Sequence, residues 1–178
     1  VIREEATEDF LQMAGAGKDR EILLKSTVDN ALTRAPWLFA SWLGGIIAVL
    51  IISFFEKELS QVIALAAFIP IVMGMGGNIA TQSSTIIVRG IATGRINMKE
   101  LSRVILKEAR VGLILGAFYG IFLGLIAHFG YMEIANFGLV IGLSVLFAMT
   151  LASTVGTFVP LILRRLDIDA AIATGPFV

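Results

Sequence analysis

Residues Leu59 to Val88 read LSQVIALAAFIPIVMGMGGNIATQSSTIIV, thirty positions without an acidic, basic or histidine side chain. At 1.5 Å rise per residue, about 20 helical residues cover the ~30 Å hydrocarbon core of a bilayer, so this stretch is long enough to cross one. Three further stretches lack Asp, Glu, Lys and Arg: Pro36 to Phe55, Val111 to Met132, and Ile134 to Leu163. In a chain of 178 residues, 57% hydrophobic and 16% charged with mean hydropathy +0.87, four such runs leave too little polar surface to cover them in water. The composition therefore predicts an all-α membrane bundle of four complete crossings. The two longest stretches must tilt, break or extend beyond the bilayer.

The net charge of zero excludes a globally basic nucleic-acid binder, but it averages over an uneven distribution. Twelve of the 28 charges precede Pro36; the others gather at Glu56 to Glu58, Arg89 to Arg110, Glu133, and Arg164 to Asp169. Basic loops stay in the cytoplasm. Arg89, Arg95, Lys99, Arg103, Lys107 and Arg110 place the loop after the second stretch inside, and Arg164 and Arg165 do the same after the fourth. An alternating path then puts the N-terminal segment inside as well, in the cell membrane. Positions 1–35 read as a cytoplasmic connector, with helical candidates at Glu4 to Met13 and Arg20 to Thr33 separated by Gly15 and Gly17. Pro36 is expected to open the first membrane helix, where its missing N–H is harmless, with Trp37 and Trp42 in the interface belt. The membrane domain spans 36–178, with helices over about 36–55, 59–88, 111–132 and 134–163. A fifth is expected to begin near Asp169 and to continue beyond Val178. The polar opening from Val1 is unlike a signal peptide and reads as the interior of a longer protein. With no cysteine, there is neither a disulfide framework nor a thiolate metal site.

Within the second stretch, Pro70 removes a backbone donor, and Gly74, Gly76 and Gly77 weaken the helix just beyond it. A broken backbone at membrane depth would face a protein-lined, water-filled cavity. Thr81 and Thr85 form one stripe, Asn78 and Gln82 an adjacent one, so neutral oxygens face roughly one way. Such oxygens suit a hydrated hard cation; the same residues would also serve close helix packing and interhelical hydrogen bonds. Gly112, Gly116, Gly120 and Gly124 recur every four residues and predict close helix packing, as do Gly138 and Gly142. Thr150, Ser153, Thr154 and Thr157 fit packing or the lining of a path. His128 reads as an interfacial side chain. No nucleophile–base pair, zinc-ligand cluster or phosphate-binding loop is present, which argues against an enzyme.

The run Pro70 to Gln82, with Gly76-Gly77-Asn78-Ile79-Ala80-Thr81-Gln82 at its centre, resembles the membrane domain of the MgtE family of magnesium transporters and channels. Val88-Arg89-Gly90, Gly94, Leu106-Lys107-Glu108, Leu163 to Ala171 and Gly175 to Val178 extend the resemblance over nearly the whole chain. It implies a homodimer with five membrane helices per subunit and an ion path on the two-fold axis, lined by the second and fifth helices. Gly74, Gly77 and Thr81 fall on path-lining positions. With Asn78 and Thr85 from the oxygen-bearing stripes, the candidate pore-lining set is Gly74, Gly77, Asn78, Thr81 and Thr85. Glu8 and Asp9 match the start of a plug helix, and Glu108 and Asp169 match acidic positions at the cytoplasmic mouth; together they are expected to hold a regulatory Mg²⁺. The family's principal pore aspartate would follow Val178, and its sensor domains would precede the present chain apart from a tail in Val1 to Gly15, so these residues alone are not expected to transport selectively.

The expected function is passage of hydrated Mg²⁺ through a dimer-interface pore gated by cytoplasmic Mg²⁺, with Mg²⁺, the lipid bilayer and a second copy as partners. Two other readings fit the same features: a secondary transporter for another divalent cation or small solute, using a broken second helix, and a membrane scaffold in which the glycines only pack helices.

Overall fold

The computed structural model describes residues 26–97 and 100–168. Among these it is helical, with no strand: α1 (Thr27–Phe54), α2 (Glu56–Gln61), α3 (Ala64–Ala92), α4 (Leu101–Gly130) and α5 (Phe137–Arg165). Three of them, α3, α4 and α5, are each long and apolar enough to cross a membrane; α1 makes a fourth span if its two bent halves are taken together. The expected fifth helix and the candidate Glu4 to Met13 lie outside the described residues.

Each long helix overruns the charge-free stretch that announced it at one end and stops short of it at the other; the helix expected over 59–88 begins only at Ala64, with Leu59 to Gln61 in α2. Helix α4 starts at Leu101, so Arg103, Lys107, Glu108 and Arg110 are helical, and α3 continues to Ala92. Absence of charge marks the part of a helix that sits in lipid, whereas helical hydrogen bonding continues into the headgroup layer. At 29–30 residues these helices are about 45 Å long, some 15 Å more than the hydrocarbon core. The Glu56 to Glu58 loop is the one-and-a-half-turn helix α2.

Pro36 does not open a helix. Ser26 caps α1, its Oγ accepting from the Asp29 backbone N–H at 3.2 Å, and Pro36 sits ten residues in, where Thr27–Pro36 and Leu38–Phe54 meet at 45°. An internal proline lacks the i→i−4 donor and its ring crowds the preceding turn, which accounts for the bend. The last residues of the polar connector, from Thr27, and the first apolar stretch are thus one bent helix.

Helix α5 is central, packed against α4 along one side and α3 along another. The α4 contact is glycine against glycine. A Cβ added to Gly120 would lie 2.5 Å from the Gly142 carbonyl oxygen, and one on Gly124 2.7 Å from that of Gly138. At Gly112 and Gly116 the obstacles are the Met149 and Leu146 carbonyls, each 2.9 Å away. Only a residue without a side chain permits this backbone approach. Helix α3 reaches α5 through Gly156, where an added Cβ would strike the Ala80 backbone, and through Gly76 against Ala152. Phe68, Ile79, Leu123, Ala127, Ile141, Val145 and Met149 fill the core between them. Its end is closed by Phe68, Tyr131 and Phe137, with ring centroids 5.0–5.9 Å apart.

Candidate functional site

The expected break in α3 is not there. The helix runs uninterrupted from Ala64 to Ala92, through Pro70 in its second turn and through all three glycines. In water each glycine would cost about 1 kcal/mol relative to alanine, but an unmade backbone hydrogen bond in lipid costs several, so the bilayer favours the continuous helix. Exposed backbone from an unwound segment is therefore not what this helix offers.

What it offers is a bare strip. Pro70, Gly74, Gly77, Asn78, Thr81 and Thr85 all fall within one face and are exposed, while Gly76, Ile79, Ala80, Ser83, Ser84, Ile87 and Val88 on the other side are buried. A Cβ added at Gly74 or Gly77 meets nothing within 4 Å. Among the described residues these two glycines consequently have no packing partner, unlike Gly76 next to Gly77 or the ladder on α4. Their effect is to keep the strip flat and bring its backbone close to whatever lies in front.

The oxygens of the strip are oriented by the helix itself. Thr81 Oγ1 donates its hydrogen to the Gly77 carbonyl at 2.9 Å. That leaves the hydroxyl lone pairs as acceptors, the polarity required by hydration water around a cation, whose hydrogens point outward. The Asn78 side-chain carbonyl adds a further neutral acceptor beside it.

The acidic set divides differently. Glu8, Asp9 and Asp169 lie outside the described residues, and among the described residues no three His, Cys, Asp or Glu side chains come together to hold a metal ion. Glu108 is only 9% exposed and is hydrogen-bonded to both α3 and α5. Ser83 of α3 donates to its Oε2 at 3.0 Å, Ser153 of α5 donates to its backbone carbonyl at 2.8 Å, and the two serine oxygens are 3.1 Å apart. Sequence alone gave no sign of this cluster, because Glu108 was one of several carboxylates near a helix end and Ser83 one of several hydroxyls on α3. The remaining hydroxyls of α5 are spent locally: Ser144, Thr150, Thr154 and Thr157 each bond the carbonyl four residues back. Glu108→Gln is expected to leave thermal stability nearly unchanged, since the amide oxygen still accepts from Ser83. Glu108→Leu removes the acceptor and should cost about 1–3 kcal/mol; unfolding of the purified protein in detergent measures both.

Residues 69–178 match the family described as MgtE, divalent cation transporter. The whole chain is also 36% identical to the magnesium transporter MgtE of Bacillus subtilis, 35% to that of Thermus thermophilus and 33% to that of Enterococcus faecalis. The chain belongs to the MgtE family. It spans 39% of the length of each of these relatives. The family match takes in the α3 strip, the α4 ladder and α5, so the bare face and its supporting core belong to the part this chain has in common with MgtE proteins.

Proposed function

We propose that this chain is membrane-embedded machinery of a homodimeric Mg²⁺ transporter or channel of the cell membrane, with its N-terminal side cytoplasmic and the α3 strips of two copies facing a common ion path. The observation that carries this reading is the contrast among the glycines. Those of α4 are filled by α5, whereas Gly74 and Gly77 meet no described residue and lie beside a row of neutral oxygens. Mg²⁺ gives up its water reluctantly, and a path lined by hydrogen-bond acceptors lets it pass with its shell on. The inside-negative potential would drive entry, at ~2.3 kcal/mol per charge per 100 mV and twice that for a divalent ion.

The test is Mg²⁺ uptake by liposomes holding the full-length protein. Flux without a proton or sodium gradient supports the channel; a requirement for either supports coupled transport, and no flux from folded dimer leaves the scaffold reading. A regulatory Mg²⁺ held by Glu8, Asp9, Glu108 and Asp169 at the cytoplasmic mouth is part of the proposal, supported by the family resemblance at these positions. Asp9→Ala and Asp169→Ala are each expected to raise the cytoplasmic Mg²⁺ needed for closure in single-channel records; an unchanged Mg²⁺ dependence removes the gating role.

A further inference from the structure

Helix α4 carries a second patterned face, unrelated to the strip on α3. Arg103, Lys107, Arg110, Ile114, Phe118 and Ile121 follow one another at spacings of three and four residues and so form a single stripe, cationic at one end and apolar along the rest. Ile114, Phe118 and Ile121 are 67%, 54% and 64% exposed, and the three cations are exposed as well. Helix α5 covers the opposite side of α4 through the glycine ladder, and α3 meets α4 at the buried Glu108, so no described element covers the stripe.

Its dimensions are those of one lipid leaflet. From Arg110 to Ile121 the helix rises about 16 Å, half of the ~30 Å hydrocarbon core, which puts Lys107 and Arg110 at phosphate level when the apolar part is in acyl chains. Near its inner end the stripe opens into a groove of ≈ 520 Å³ between α4 and α5, bordered by Ile121, Leu125, Leu139 and Leu143. Arg103 is engaged by Glu100 at 2.9 Å, but neither Lys107 nor Arg110 has a carboxylate partner among the described residues. Two unneutralised cations about 4.5 Å apart along the axis favour a headgroup of net negative charge over a zwitterionic one. A second copy is a poor occupant, because a two-fold axis along the membrane normal would set this face against itself, cation against cation.

We propose that this stripe is a binding site for an acidic phospholipid, its phosphate held by Lys107 and Arg110 and an acyl chain lying along Ile114, Phe118 and Ile121 toward the groove. The test uses full-length protein carrying Phe118→Trp, reconstituted in bilayers containing brominated phosphatidylglycerol or brominated phosphatidylcholine, and reads the added fluorescence relative to protein without that substitution. Quenching several-fold stronger per mole of the acidic lipid is expected, with the preference falling by roughly fivefold for each cation removed in Lys107→Gln and Arg110→Gln. High salt applied to the protein with both cations intact should reduce it too, which keeps the test valid if a charge variant fails to fold. Equal quenching by the two lipids, or a preference indifferent to both charge removal and salt, overturns the proposal. Absence of quenching by either lipid also overturns it, since the face is then covered by protein.

Discussion

Gly77→Val is expected to abolish the proposed Mg²⁺ flux through the full-length protein, a loss of about tenfold or more, while the proposed dimer survives extraction with its thermal stability intact. Both halves of this expectation come from one position. Among the described residues an added Cβ at residue 77 meets nothing within 4 Å, and valine is no worse than glycine in a helix interior, so the packing of α3 on α5 has no reason to suffer. In front of the strip, however, the new side chain stands beside Asn78 and Thr81 and occupies the space through which a hydrated cation would pass. Gly77→Ala should give an intermediate flux. Undiminished uptake by liposomes containing Gly77→Val protein would remove this face from the ion path.

The same substitution at Gly120 should do the reverse, damaging the fold first. There a Cβ would sit 2.5 Å from the Gly142 carbonyl oxygen, a backbone atom that can retreat only if α4 and α5 separate. Separation also loosens Gly116 against Leu146 and Gly124 against Gly138. Gly120→Val is therefore expected to cost about 3 kcal/mol, the upper end of ordinary overpacking penalties, read as a shift in the unfolding midpoint in mixed micelles. A stable, well-packed variant would mean that the glycine contact is not what holds the two helices together.

These two glycines also show what sequence could and could not disclose. The ladder from Gly112 to Gly124 was legible because its four-residue period is the period of a helix face, and nothing but packing asks for a small residue once per turn. Its partners Gly138 and Gly142 were legible for the same reason. Gly156 was not, being a single glycine with no periodic companion, although it supports the α3–α5 contact at Ala80. The unbroken course of α3 ran against the local signals of Pro70 and three glycines, because helix propensity measured in water omits the cost of an unpaired amide in lipid. Helix ends were misplaced at Pro36 and at Leu101 for a related reason: loss of charge records where lipid begins, not where helical hydrogen bonding does. The Glu108, Ser83 and Ser153 junction joins residues 25 and 45 or more positions apart, and no short-range pattern could announce it.

The central position of α5 also bears on the order in which the bundle assembles. Helices α4 and α5 are joined by the six residues 131–136, so their glycine faces meet after closure of a very short loop. Helix α3 is a neighbour of α4 in the chain, yet its principal contact is with α5, reached only once all of α4 has been laid down. The α4–α5 hairpin should therefore form first and α3 dock onto it last. The helix that bears the exposed strip would then be the latest to settle and the earliest to detach when the protein begins to unfold.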